Sequence, residues 1–574
     1  MLKSIKGFSA DRTVVFWLLI WFAINVIQAA FTGLVNDEGY YHIYAETLAW
    51  GYFDHPPAIA ILVWIGEALF GNTELGLRFG IIILQPLYLY LFWKTIRSDE
   101  STQREAMTYI VTTASLLMMQ AYGFVAVPDA PLMMTSVVFL WAYKRFLEGQ
   151  RWSWLLVAVA MAAMAYSKYQ GALVVAFAVA MTPKVLLNPR FYLSGVVALV
   201  LYAPHLLWQY NNDFPSFSYH LADRNRPFEI HNLVEFVLNL LVVFNIFYLP
   251  LWVQAYRKVR SRTPYERVLK WMPILFILFF GASALRGATQ PQWMIVGSFG
   301  LIWILCRYLS DHPRSRKYAI RMGCVLIGLV ALTRLEMIFN PLNLKIEIFG
   351  NREYYGAIHE VAEGRPVIFR GNYAGAAKYK FYTGGEAYCM PSVGYRTHQW
   401  QYVDDSKFRG REVLLNVSVP SDVAHSDTAK YRSVKKLKRG EAQFEIYPNY
   451  TPLKEVCVTA LEPLPERVKA GEKVTLTLTL ENPYPYDITT NESDIQLVML
   501  FRGFIDGKRV SRRELLITGV EIKSQSDKEI TVVYTLPDDL KVGYYKVGFA
   551  LLSNKMEGWF SATPQDVEVV APAL

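Results

Sequence analysis

Two adjacent acids open the chemistry of this chain. The stretch NDEGYYHIYAETLAWGYFDHPP, residues 36–57, carries Asp37, Glu38, Glu46, Asp54 and His55 among aromatic side chains, with no lysine or arginine. A carboxylate so placed can take a proton from a hydroxyl or an amine. It can also cap a helix, because acids and amides satisfy the free N–H groups of a first turn and suit its dipole, so Asn36 or Asp37 has a local reading as well. Asp129, in AVPDAPLMM, has a proline on either side, Lys168 lies in AYSKYQG, and Arg224 and Arg226 lie in NNDFPSFSYHLADRNRPF. Acids facing a few cations suit an anionic headgroup beside a hydroxyl that must lose its proton. The bland alternative for the cations is snorkelling to a membrane interface.

These residues hang on apolar helices. The chain has 574 residues, is 53% hydrophobic and 15% aromatic, and carries only 19% charged residues. Runs of roughly 18 to 20 apolar residues, the length that crosses a bilayer as a helix, recur to about residue 335 and then stop. The pattern predicts helices near 13–32, 74–93, 106–124, 131–147, 153–167, 170–187, 191–209, 232–255, 271–286, 291–306 and 318–335. The first follows MLKSIKGFSADR without a small-residue cleavage site, so it is expected as an uncleaved span. Alternate loops hold roughly twenty Lys and Arg against about five in the others, which puts the N-terminus in the cytoplasm and residues 36–57, Asp129, Lys168 and everything past 336 outside. The net charge of +9 then belongs to cytoplasmic anchoring loops, not to nucleic-acid binding. Within the first outer loop, EGYYHIYAETLAW has apolar residues at helical spacing and is expected to lie in the interface plane, with Tyr and Trp at headgroup depth.

Past Glu336 the texture is that of a soluble protein. Residues 336–452 mix strand-like runs (RPVIFRG, REVLLNVSV, AQFEIYPNY) with one helix, YAGAAKYKFY, which predicts a small α/β domain. From 453 to 574 the alternating runs KVTLTLTLENP, IQLVMLFRGFIDGKRV, KEITVVYTLPDD, YYKVGFALL and QDVEVV predict an immunoglobulin-like β-sandwich. Cys306 and Cys324 read as packing residues, and a Cys389–Cys457 bridge is allowed on the outer side but joins two predicted domains. No CxxC pair, Walker loop, GxSxG elbow or internal repeat occurs.

The motif NDEGYYHIYAETLAWGYFDHPPAIAILVWIGEALFGNTELGLR resembles the first outer loop of membrane glycosyltransferases related to the dolichyl-phosphate-mannose protein mannosyltransferases, especially the bacterial branch that includes the lipid A aminoarabinose transferase. PDAPLMM, SKYQGAL, APHLLWQYNNDFPSF, PQW and KYKFYTG resemble later landmarks of that branch, in order, so the resemblance covers roughly residues 10 to 400. It implies a polytopic C-type glycosyltransferase fold in residues 1–335, set in a bacterial inner membrane with periplasmic C-terminal domains. It also implies transfer of a sugar, typically with inversion, from a polyprenyl-phosphate carrier to a lipid, glycan or protein acceptor. The acid leading the Asp-Glu pair, here Asp37, is then the base or an essential partner of the acceptor, with Glu38 and Asp129 beside it. Some relatives have an arginine after the Asp-Glu pair and a lysine before Pro-Pro, where this chain has Tyr40 or Tyr41 and His55. The donor phosphate is therefore expected to meet His55, Lys168, Arg224 and Arg226, and the substrate to meet Tyr40, Tyr41 and Trp293. Trp293 follows Gln292 where many bacterial relatives have His. Members of the aminoarabinose group can hold a divalent metal (Mg, Mn or Zn), for which Asp54 and His220 are the matching residues.

A transporter or lipid flippase is the rival, since it too would have many helices and buried charges. Such a protein should show repeat symmetry or broken helices near the bilayer midplane. An outer-face binding protein with a membrane anchor would not need eleven spans.

Overall fold

The computed structural model describes residues 9–220, 229–392, 397–417, 430–437, 439–492, 494–505, 508–553 and 559–571. Chain contacts divide it into two compact units, 1–351 and 352–574. Residues 336–452 and 453–574, expected as separate domains, thus fall almost wholly into one unit.

The first unit is helical: α1 (Ala10–Phe31), α2 (Asn36–Glu46), α3 (Ala58–Phe70), α4 (Glu74–Ile96), α5 (Gln103–Ala114), α6 (Leu117–Ala121), α7 (Asp129–Leu147), α8 (Ser153–Ser167), α9 (Gly171–Met181), α10 (Pro189–Asn211), α11 (Pro215–Ser218), α12 (Ile230–Phe244), α13 (Leu249–Lys258), α14 (Pro264–Ala284), α15 (Gly297–Asp311) and α16 (Pro313–Phe339). Local chemistry sets many starts. Thr73, Thr102 and Thr263 each accept a backbone N–H three residues on, and Glu105 returns the bond to Thr102. Among the described residues, five helices (α1, α4, α10, α14 and α16) are long and apolar enough to cross a membrane, or six if α12 and α13 count as one bent span. Of these, α4 is the most enclosed, with 56% of its apolar window buried, against 11% for α16. Arg78, on this helix, is fully buried.

Several expected helices are divided. The run 106–124 is α5 and α6 with a break at Ser115–Leu116, 232–255 bends by 79° at Asn245, and 170–187 finishes as a 3-10 turn, Pro183–Leu187. Helix α3 is an apolar helix too short for the length criterion. The interface helix is corrected most: in α2 every residue from Glu38 to Ala45 is buried. Its tyrosines pack inward: α3 lies against the helix, Tyr44 stacks on Tyr52 and Tyr41 meets His55, so the face expected to meet lipid headgroups is covered.

The second unit begins in α17 (Asn351–Ala362) and continues, among the described residues, with a five-stranded sheet, order β2-β1-β3-β5-β4, made of β1 (Val367–Arg370), β2 (Ala387–Met390), β3 (Val413–Val417), β4 (Tyr431–Leu437) and β5 (Gly440–Tyr447). Strands β1 and β2 run parallel, joined through α18 (Tyr373–Thr383). Among the described residues ten further strands follow: β6 (Cys457–Ala460), β7 (Arg467–Lys469), β8 (Lys473–Asn482), β9 (Ile488–Thr489), β10 (Ile495–Ile505), β11 (Lys508–Ile517), β12 (Glu521–Ile522), β13 (Ser526–Thr535), β14 (Gly543–Ser553) and β15 (Gln565–Val570). They form sheets ordered β11-β10-β14-β15-β7 and β13-β8-β6, with the pair β12-β9. In β8 the alternation is literal: Val474, Leu476, Leu478 and Leu480 are buried, while Lys473 and Thr475 face outward. The run IQLVMLFRGFIDGKRV is two antiparallel strands, with Ile505 opposite Lys508. No disulfide joins Cys389 to Cys457; the Cys389 thiol lies 3.6 Å from His398 Nε2.

A buried ion pair lies in this unit. Lys454 Nζ donates to the carbonyls of Gln401 (3.1 Å) and Val403 (2.5 Å) and lies 3.9 Å from Asp405, to which Tyr450 also donates. Burial raises the Asp405 carboxyl above the ordinary aspartate value, and Lys454 opposes the rise. The folded state therefore binds this proton at higher pH than the unfolded chain, and stability increases as pH falls through the folded pKa. Lys454→Met leaves the carboxylate alone in the interior and is expected to cost about 3 kcal/mol at pH 7. Thermal unfolding of the full chain from pH 7 to pH 5 checks this: the deficit should shrink as pH falls, and a pH-independent deficit would assign it to packing alone.

Candidate active site

The site is assembled around one guanidinium. The end of α1 leaves carbonyls without helical partners, and Arg78 of α4 reaches them: Nη1 donates to Ala29 O (3.0 Å) and Thr32 O (2.5 Å), and Nη2 to Gly33 O (3.0 Å). Gly33 has to be glycine, since a Cβ there would stand 2.1 Å from the Ile348 carbonyl. Arg78 also grips both oxygens of Glu38, with Nε to Oε1 at 2.6 Å and Nη2 to Oε2 at 2.5 Å. The same carboxylate accepts from Val35 N (3.0 Å) and Ala126 N (2.9 Å). Both side chains are fully buried, and all five Arg78 donors are used, the condition under which a buried pair is tolerable.

This geometry separates the two neighbouring acids. Val35 is the N-cap of α2, so neither Asn36 nor Asp37 holds that place, and Glu38 satisfies the cap backbone. Successive residues of a helix point about 100° apart. With Glu38 turned into the core, Asp37 is exposed at the second helical position. Glu38 therefore holds the structure, and the role expected for it as a catalytic group is corrected by its complete enclosure.

Asp129 opens α7 and is almost buried, at 3% exposure. Lys168, at the end of α8, places Nζ 2.8 Å from each of its carboxylate oxygens. The structure thus joins two predicted residues 39 positions apart. Ala126, three residues before Asp129, donates its N–H to Glu38, the neighbour of Asp37, at 2.9 Å, so the two loops share one neighbourhood.

An aromatic wall adjoins them. Tyr40 and Tyr41 are buried, and Tyr44 stacks on Tyr52 with ring centroids 4.1 Å apart. Tyr44 donates to the Asp54 carboxylate, while burial and that charge push its phenol well above the ordinary value and keep it a donor. Burial likewise pushes the Tyr52 phenol up to about 12, and it donates to Tyr44 O at 2.9 Å. From Tyr41 the rings run through His55 (5.9 Å) and His220 (6.3 Å further) to Tyr169 (5.6 Å), the residue after Lys168. Tyr169 is bonded in turn to the fully buried His205, whose other ring nitrogen meets Trp50 O at 2.7 Å. Trp293 is placed against Phe280, and its Nε1 donates to Gln290. Arg224 and Arg226 lie outside the described residues.

Asp54 and His220 do meet, but not as a metal pair. His220 Nε2 lies 3.0 Å from the backbone oxygen of Asp54, which makes that nitrogen a donor, and the Asp54 carboxylate is engaged by Tyr44. Among the described residues no group of three or more His, Cys, Asp or Glu could hold a metal ion. The donor set does not fit the expected ion, and no step is routed through one.

Sequence reasoning passed over Arg78, Arg334, Tyr44, Tyr122, Tyr169 and His205. The signal for the two arginines was present: each is a charge inside an apolar run predicted to span the membrane, where ionisable residues are expensive.

Residues 54–208 match the family described as dolichyl-phosphate-mannose-protein mannosyltransferase. Two crystal structures of ArnT from Cupriavidus metallidurans align with the chain: the apo form at TM-score 0.58 and 14% identity, and the form bound to undecaprenyl phosphate at 0.57 and 15%. Each alignment covers 75% of this chain and 97% of ArnT. The cryo-EM structure of the arabinofuranosyltransferase AftD from Mycobacteria aligns over 96% of this chain and 59% of its own at 11% identity, with a TM-score of 0.42, too low to carry an argument. No curated protein sequence matches the chain. The chain is thus similar in residues 54–208 to the dolichyl-phosphate-mannose-protein mannosyltransferase family, and over 75% of its length it shares the fold of ArnT.

Proposed function

We propose that this protein is an integral membrane glycosyltransferase that moves a sugar from a polyprenyl-phosphate carrier to an acceptor on the outer face of the membrane. The observation that carries the reading is the exposed Asp37, held on a rigid buried support that is bonded to the segment leading to the Asp129–Lys168 pair. The family match over residues 54–208 and the undecaprenyl phosphate bound to ArnT support the donor class. The acceptor is a lipid, a glycan or a protein. The topology that goes with it has eleven crossings and a cytoplasmic N-terminus, supported by the distribution of Lys and Arg. In this reading the strands after residue 453 form an immunoglobulin-like module that is dispensable for bond formation.

The acceptor oxygen or nitrogen attacks the anomeric carbon, and the bond from that carbon to the phosphate oxygen breaks. The electron pair leaves with polyprenyl phosphate, and the acceptor proton goes to Asp37. Lys168 spends two N–H groups on Asp129 and has a third for the leaving phosphate. His55 beside Tyr41, with Arg224 and Arg226, completes the phosphate clamp in this reading.

The transporter reading is favoured by one observation, the breaks in α5–α6 and α12–α13. A single experiment separates the two. Purified protein given polyprenyl-phosphate sugar and acceptor should release polyprenyl phosphate with stoichiometric glycoside. Transfer from a nucleotide sugar without lipid carrier would overturn the donor assignment, and lipid redistribution across vesicles without bond cleavage would favour transport.

A further inference from the structure

Helix α5 stops at Ala114, and the chain then runs from Ser115 to Pro128 with only the five residues of α6 in regular structure. Irregular backbone at membrane depth survives only where protein groups satisfy it. Here side chains from three other helices do so. Gln85 of α4 donates to Met119 O (2.5 Å), Asn25 of α1 to Gly123 O (3.1 Å), and Arg334 of α16 to Gln120 O (3.1 Å). Within the segment, Gln120 Nε2 closes Ala114 O at 2.7 Å. The donors are also bonded to one another. Asn25 Nδ2 meets Gln85 Oε1 at 2.6 Å, and Arg334 Nη2 meets Asn25 Oδ1 at 2.9 Å and Gln120 Oε1 at 3.0 Å. A Cβ on Gly123 would collide with the Gln85 amide at 2.3 Å, so the contact is already closed.

Arg334 is the odd member of this network. It is 7% exposed, and its Nε and Nη1 have no hydrogen-bond partner among the described residues. Its guanidinium lies over one ring, Phe124, at 5.1 Å, and that of Arg78 approaches the same ring at 5.8 Å. An amide in its place would spare the interior a charge that is expensive to bury. The charge has work to do in the segment it clamps: Gln120 and Gly123 flank Tyr122, Ala126 N is bonded to Glu38, and Asp129 follows.

We infer that Arg334 is a positioning residue for the transfer reaction: by closing the amide network on Ser115–Pro128 it holds Tyr122 and Asp129 in place relative to Asp37. The inference rests on the transferase reading. In full-length protein, Arg334→Met should lower kcat by at least about 10-fold, since a misplacement of about 1 Å in a site can cost that much or more, with KM for the polyprenyl-phosphate sugar within about 2-fold. Arg334→Lys, which restores the charge and its donors, should recover most of kcat. Hydrogen exchange provides a readout independent of turnover: amides of 116–127 should exchange faster in Arg334→Met, and those of 58–70 as in wild type. An unchanged kcat, a change in KM alone, or unchanged exchange in 116–127 would overturn the inference. Should Arg334→Met fail to insert, Gln120→Met, which removes one side-chain partner of Arg334 together with the bond to Ala114 O, is judged by the same criteria. If the wild type itself transfers no sugar, the transferase reading falls, and exchange in 116–127 alone upholds or overturns the clamp.

Discussion

Asp37→Asn should insert, fold and bind donor lipid, yet lose at least about two orders of magnitude in turnover, the typical contribution of a general base being roughly 10² to 10⁴. The substitution keeps the shape of the side chain and removes its capacity to take a proton. Its structural consequence should be small. Asp37 is neither the N-cap nor part of the buried pair, and it is exposed in the first turn of α2. There a negative charge near the helix dipole is worth about 0.3–1 kcal/mol. Single-turnover assays with a polyprenyl-phosphate sugar, alongside a donor-binding measurement, separate the two effects. If Asp37→Asn turns over like wild type and Asp129→Asn is dead, the base sits on the other loop. If both remain active, the carboxylates at this membrane edge are structural.

Arg78→Met should cause the largest loss of stability among single substitutions at this site. It leaves Glu38 charged and fully enclosed with only two backbone N–H partners, and removing one member of a buried pair costs about 3–5 kcal/mol. It also frees three carbonyls at the end of α1. Thermal unfolding in detergent should show a markedly lower midpoint, and Arg78→Met combined with Glu38→Gln should recover part of it, because the stranded charge is gone. A single variant as stable as wild type would mean that the pair does not hold α1, α2 and α4 together. Glu38→Gln alone should depress stability more than chemistry, the reverse of Asp37→Asn.

Much of the architecture was legible because it follows from periodicity. Apolar runs of bilayer length mark α1, α4, α10, α14 and α16, and strict alternation marks β8. The breaks were not legible. Nothing local in LLMMQAYGF forbids a continuous helix, and the chain leaves the helix at Ser115 because Gln85, Asn25 and Arg334, from helices distant in sequence, take over its backbone bonds. Helix α2 was misjudged for a related reason. Its tyrosines have the composition of an interface belt, and only the packing of α3, Tyr52 and His55 against the helix turns that face into core.

The sequence by itself determined that acids and cations gather in the loops after α1, before α7 and after α8, because residue type and membrane topology are one-dimensional facts. Tertiary structure decided which of them are spent on holding the fold. Glu38 and Asp37 are adjacent and chemically alike, yet one is enclosed by Arg78 and two backbone N–H groups while the other faces outward. No local rule distinguishes them. A helix turns neighbouring side chains about 100° apart, and which of the two meets the core depends on an arginine forty residues further along the chain.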